Sequence, residues 1–263
     1  MHFDENLTCD FLLHLFNSGI GYSAINTARS ALSSFISNSA GLTIGNTLSV
    51  KRFMKGVFEL RPPTCRYVYI WDANIVIDFL KLLGDSKDMP LNWLTYKLVA
   101  LFALVTAQRA QSLHALNVND IVFGKELVVI PIKALLKQSR PGNNNFSIQL
   151  KPFHDTSICI VETLKEYVLR TKKLRREESR LFISFQKPHK AASKDTISRW
   201  IKFVLQESGI DTEIFKSHST RAASVSYAKS CNYPIEDILK TAGWSNNQTF
   251  YKFYDKVIMS DRA

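Results

Sequence analysis

The residues best suited to chemistry are two arginines and a histidine in unusual local settings. Arg109 closes the run Thr106-Ala107-Gln108-Arg109, directly after the most apolar helical stretch of the chain, and His218-Ser219-Thr220-Arg221 opens another helix. Gly243-Trp244 and a tyrosine-rich segment, Thr249-Phe250-Tyr251-Lys252-Phe253-Tyr254, follow. An arginine ending a buried helix, and a second one three residues after a histidine, share one explanation: guanidinium groups forked onto the non-bridging oxygens of a phosphodiester. Paired N–H donors match phosphate geometry, and their charge offsets the negative charge that grows in a phosphoryl-transfer transition state. At i and i+3, His218 and Arg221 project to one side of their helix, within reach of a single phosphate.

Each residue taken alone has a plainer role. Arg109 suits a helix end, where a cation meets the last carbonyls. Trp244 suits a core, and Phe250, Tyr251, Phe253 and Tyr254 suit a packed stripe, the role expected for Phe250 and Phe253. The run Lys172-Lys173-Leu174-Arg175-Arg176 is interleaved with Glu177 and Glu178, so it reads as solvated surface as readily as a nucleic-acid contact or import signal. No GxxxxGK[ST] loop, GxGxxG turn, HExxH pair or GxSxG elbow occurs, which removes the common nucleotide, zinc-protease and serine-hydrolase signatures. Cys9, Cys65, Cys159 and Cys231 form no CxxC pair and have no histidine at ligand spacing, so a reduced, metal-free interior is expected.

The elements that must position these residues fit two domains, since 263 residues exceed one core of about 100–150. A hydrophobic share of 46% with 22% charged residues is that of a folded globular chain. Thirty-four Lys and Arg against 23 Asp and Glu leave a net charge of +11, which favours a polyanionic partner, nucleic acid ahead of an anionic membrane surface. The acidic N-terminus MHFDENLTCD lacks the pattern of an export signal, and the uncharged stretch 98–108 is shorter than the ~20 residues that span a bilayer. A soluble, intracellular protein is expected.

Helical spacing of Phe11, Leu12, Leu15 and Phe16, capped by Thr8 or Asp10, predicts a first helix, and further helices are predicted over 23–37 and 48–60. Arg61-Pro62-Pro63-Thr64 then breaks the pattern. The expected division is a helical domain over 1–62, a linker over 63–71 and a larger domain over 72–263. In the larger domain Asp72 opens a helix through 82, and 91–105 is apolar nearly all round, as befits a central buried helix. A hairpin is predicted over 121–123 and 127–132, with a third strand at 146–150 after Arg140-Pro141-Gly142-Asn143. Helices are predicted at 158–169, 196–206, 218–229 and 235–241, with a brief strand at 181–185. The fold class is mainly α with a small β-sheet.

The order Arg109, His218-x-x-Arg221, Trp244 and a tyrosine ten residues on resembles the tyrosine recombinases, the phage integrases and their relatives. Gly21-Tyr22-Ser23-Ala24-Ile25-Asn26-Thr27-Ala28-Arg29-Ser30-Ala31, Leu135-Leu136-Lys137-Gln138-Ser139-Arg140-Pro141-Gly142 and 244–254 resemble the eukaryotic Crypton and DIRS-type mobile-element branch. The resemblance implies a SAM-like helical core-binding domain and an α+β catalytic domain that clamp duplex DNA. It implies that a tyrosine attacks a phosphate to form a 3′-phosphotyrosyl bond and free a 5′-hydroxyl, with no metal and no cofactor. Arg109 and Arg221 would hold the phosphate, His218 would assist proton removal, Trp244 would pack beside the phosphate and could donate its indole N–H, and Lys137 would protonate the leaving oxygen.

Two of these assignments have rivals. The family's nucleophile commonly stands nine residues after the Trp244 position, where this chain has Phe253; Tyr254 at ten is the choice, with Tyr251 at seven as alternative. Lys133 competes with Lys137, since both fall where the sheet's lysine is expected. DNA contacts are expected from Arg29, Lys51, Arg52 and Lys55 in the small domain, and from Arg199 and Lys202 on a helix with Thr196, Ser198 and Trp200. The implied partners are double-stranded DNA and further copies of the chain, as a tetramer on DNA, with no membrane and no small-molecule substrate; the implied location is the nucleus. Only nine residues follow Tyr254, where the family often carries another docking helix, so a fragment or a shortened, domesticated gene product is an open reading. A DNA-binding protein that no longer recombines, or a topoisomerase-like strand nicker, are the alternatives.

Overall fold

The structure is a computed structural model in which residues 4–37, 41–63, 66–135, 146–244 and 247–259 are described. The chain divides into two compact units, Met1–Arg66 and Tyr67–Ala263. In the smaller unit, helices α1 (Glu5–Asn17), α2 (Tyr22–Ser33) and α3 (Leu48–Leu60) enclose Leu12, Ile25, Val50, Met54 and Val57. The cap of α1 is Asp4, whose carboxylate accepts from the amides of Asn6 and Leu7; Thr8 and Asp10 lie inside the helix. A carboxylate that can satisfy two orphan amides extends the helix one turn beyond the predicted start. Helix α2 stops at Ser33, short of the predicted 37, where a 3₁₀ turn at Ile44–Asn46 docks on it. Ser33 Oγ accepts from Gly45 N at 3.0 Å and Arg29 Nη1 donates to Gly45 O at 2.9 Å. A Cβ at Gly45 would stand 2.1 Å from Ser33 Oγ, so glycine is the residue that allows this approach.

The larger unit runs β1 (Tyr69–Trp71), α4 (Ala73–Leu82), α5 (Leu91–Thr106), α6 (Ala110–His114), β2 (Val122–Phe123), β3 (Val128–Ile132), β4 (Phe146–Leu150), α7 (Ile160–Thr171), α8 (Lys194–Glu207), α9 (Ser219–Ser230), α10 (Ile235–Ala242), α11 (Asn247–Phe253) and β5 (Val257–Met259). Ten of the 16 residues of α5 are buried, as its all-round apolarity predicts, and α7, α8 and α9 pack about it. Strands β2, β3 and β4 form an antiparallel sheet with Ile130 opposite Ile148. Among the described residues no helix is long and apolar enough to cross a membrane.

Three features depart from expectation. Residues 69–71 are strand rather than linker: β1 pairs in parallel with β5, Ile70 opposite Ile258, and Ile70 and Trp71 are buried. Strand β5 is too short for a period to show. Residues 181–185 form only a bridge, Ile183 with Ala191. Arg175 donates to the carbonyls of Arg180 and Leu181, and the Tyr167 hydroxyl accepts from Ile183 N at 3.1 Å. Arg175 is therefore buried, not part of a solvated basic surface.

Trp71 Nε1 donates to Ser219 Oγ at 2.8 Å inside the core, fastening β1 to the start of α9. Trp71→Phe keeps the ring and removes the donor. Urea unfolding should show a loss of about 1 kcal/mol, and an unchanged midpoint would show that this bond does not hold α9.

Candidate active site

Arg221, in the first turn of α9, is 2% exposed and has its charge inside the protein. Its Nη1 donates to Ala107 O at 2.6 Å and its Nη2 to Ala242 O at 2.8 Å. Those carbonyls end α5 and α10, and helix C-termini carry the partial negative charge that a buried cation requires. Both helices end in a left-handed residue, Ala107 at φ +49° and Gly243 at φ +70°. The reversal at Ala107, strained for a residue with a Cβ, turns the chain toward Gln108 and Arg109; the one at Gly243 leads to Trp244. Gln108 Nε2 adds a second tie between the two helix ends, to Thr241 O at 2.9 Å.

Aromatic rings close the other side. The Arg221 guanidinium carbon lies 4.4 Å from the centroid of Trp244 and 5.4 Å from that of Tyr254. Trp244 and Tyr254 stack at 4.5 Å with 35° between planes, and the His218 ring stands 6.3 Å from Tyr254. Burial, then the nearby charge of Arg109, pushes the Arg221 pKa down to about 10, against the Tyr254 phenol, which favours the charged form. That value is still well above neutrality, so a cation that feels a second cation persists at pH 7. Phe250, fully buried among Ala107, Val225, Ile238 and Ala242, anchors α11.

Five buried side-chain atoms lack a hydrogen-bond partner among the described residues, and four belong to this cluster: Gln108 Oε1, Thr220 Oγ1, Arg221 Nε and Trp244 Nε1. An unpaired buried polar atom costs about 1–3 kcal/mol. Two of the four are N–H donors, one on the Arg221 guanidinium and one on the indole stacked against it.

The structure thus brings together Arg109, His218, Arg221, Trp244 and Tyr254. Tyr251 is elsewhere: it is 51% exposed and packs on Phe250 at 5.2 Å. Phe253 is 54% exposed. Lys133 is held by Asp120 at 2.5 Å, and Lys137 lies outside the described residues. Lys51, Arg52, Lys55 and Arg199 are on the surface, Lys55 paired with Glu59 at 3.8 Å; Lys202 is half-buried and paired with Glu213 at 3.6 Å. Two residues on the helices expected to face DNA make contacts within the protein. Arg29 is half-buried on the Gly45 carbonyl, and Trp200 is buried against Phe185 and Tyr96. No sequence signal marks Gln108 or Thr220; what marks them is a buried oxygen without a partner on each, Gln108 Oε1 and Thr220 Oγ1. No group of three or more His, Cys, Asp or Glu among the described residues is placed to hold a metal.

Residues 79–260 match the model of the phage integrase family. A search of curated protein sequences found no match. Among solved structures, the XerH site-specific recombinase in a pre-cleavage complex with its difH substrate superposes with a TM-score of 0.62 at 16% identity, over 94% of this chain and 65% of that one. The Tn1549 transposon integrase with transposon right-end DNA gives 0.62 at 13% identity, over 95% and 80%. A lambda integrase dimer on a COC′ core site gives 0.54 at 16%, over 98% and 82%. At such identities the likeness is one of fold, and the chain spans about two thirds of the XerH length.

Arg221→Lys keeps the charge and loses the fork that joins Ala107 O to Ala242 O. It should destabilise the larger unit by about 2–4 kcal/mol in urea unfolding. A midpoint equal to that of the unaltered chain would contradict the structural part of Arg221's role.

Proposed function

The chain belongs to the phage integrase family, and from that membership we propose that it breaks and rejoins DNA strands by transesterification through Tyr254. The observation that carries this reading is the pair of buried, partnerless donors, Arg221 Nε and Trp244 Nε1, beside the Tyr254 ring. A DNA phosphate seated there receives these N–H groups together with the charge of Arg109. The Tyr254 oxygen attacks phosphorus, its proton passing toward His218. A P–O bond to tyrosine forms as the bond to the 5′-oxygen breaks, and that oxygen takes a proton to leave as a hydroxyl. One phosphodiester replaces another, so the reverse attack rejoins the strand without an outside energy source. Lys137 is the proposed proton donor to the leaving oxygen, a choice favoured by the ion pair that occupies Lys133.

The rest of the proposal follows the resemblance. Duplex DNA is the substrate, consistent with the net charge of +11. Further copies of the chain assemble on it up to a tetramer, supported by the lambda integrase dimer on its core site and a lambda integrase tetramer on a Holliday junction. The mobile-element branch and a nuclear location rest on the sequence of 135–142 and 244–254.

The test is incubation with a library of nicked duplexes of randomised sequence, followed by denaturing recovery of covalently bound DNA. The unaltered chain and Tyr251→Phe should yield an adduct, and Tyr254→Phe should yield none while still binding duplex. Binding should weaken by about 10³ or more between 50 and 200 mM salt if six or more phosphates are contacted. An adduct that survives Tyr254→Phe would reject the assignment.

A further inference from the structure

The segment that carries Tyr254 is tied to α9 by groups that play no part in phosphate binding. Ser226 Oγ donates to Tyr254 O at 2.8 Å and accepts from Lys256 N at 3.1 Å. One turn further along α9, Lys229 Nζ pairs with Asp255 Oδ2 at 2.6 Å. The Ser224 hydroxyl donates to the carbonyl of Leu104 in α5. Two residues are about 200° apart round a helix, so α9 is held on one side by α5 and on nearly the opposite side by the backbone of Tyr254. His218 and Arg221 sit at the start of that same helix. One rigid element therefore carries both the phosphate donors and the tether of the attacking group.

We propose that Ser226 is the positioning residue for the nucleophile, a role that rests on reading Tyr254 as that nucleophile. The carbonyl of Tyr254 and the amide of Lys256 bracket Asp255, and a hydroxyl can serve both because it donates and accepts at once. Ser226 is 4% exposed, so water does not compete for these bonds. The Lys229–Asp255 pair has side chains 42% and 24% exposed and is weakened by solvent screening. Strand β5 begins just beyond Lys256, so the bracket also separates the register of the β1–β5 pair from the placement of Tyr254. Ser226 touches none of the reacting atoms. It sets where the phenol stands, and a displacement of about 1 Å costs on the order of 100-fold in a reaction that depends on alignment.

The experiment uses the full chain and its Ser226→Ala variant, both labelled with fluorotyrosine, with the Tyr254 signal assigned from Tyr254→Phe. Three quantities are read: the single-turnover rate of adduct formation on a nicked duplex recovered from the library, the affinity for that duplex, and the position and width of the Tyr254 fluorine signal without DNA. Ser226→Ala should slow adduct formation about 10- to 100-fold, leave affinity within twofold, and shift or broaden the Tyr254 signal. A rate within twofold of the unaltered chain, or an unmoved Tyr254 signal, overturns the proposal. If the unaltered chain forms no adduct with any duplex, the recombinase reading fails instead, and the fluorine signal still decides whether Ser226 holds Tyr254.

Discussion

A guanidinium buried between two helix ends is the constraint on which the candidate site depends. Arg221 cannot give up its charge at neutral pH and cannot reach water, so it needs fixed partners. The last carbonyls of α5 and α10 supply them, at Ala107 and Ala242. Satisfying those partners brings the C-termini of two helices to one point, and the residues that follow each end, Arg109 and Trp244, arrive with them. On the proposed reading, the group that holds the phosphate and the structural clasp are the same side chain.

That economy leaves a polar deficit. With both terminal nitrogens bonded to carbonyls, the guanidinium keeps Nε without a partner, and the Trp244 indole nitrogen is in the same condition. Both donors are already desolvated, so a negative charge that reaches them meets N–H groups with no water shell to displace. Burial and Arg109 both oppose the charge on Arg221, and an anion between the two arginines relieves both. On the same reading the basic surface residues act at longer range, gathering DNA without choosing a sequence.

Much of this was legible in the sequence. The third helix, expected over 48–60 from the spacing of its apolar residues, is Leu48–Leu60; the central helix, expected over 91–105, is Leu91–Thr106, because an apolar stretch closed by a turn leaves few alternatives. The i, i+3 spacing of His218 and Arg221 showed a shared face. What the sequence concealed are interactions between distant segments. The meeting of an arginine with helix-terminal carbonyls is the plainer role that the sequence suggests for Arg109, and Arg221 performs it at Ala107 and Ala242. The pairing of β1 with β5 joins three residues to three others far along the chain, too few for a pattern. Arg29 and Arg175 look like surface residues by type, and only the fold shows that each makes bonds within its own unit.

The central claim is that Arg221 Nε and Trp244 Nε1 wait for one phosphate. Both N–H groups give separate proton–nitrogen resonances, so a single titration of chain labelled at arginine and tryptophan, first with inorganic phosphate and then with short duplex DNA, follows them together. The two signals should move with a common midpoint under both ligands, ahead of Arg199 under phosphate. If they stay in place while surface arginines respond, the buried donors do not face the anion, and the account of this site is wrong.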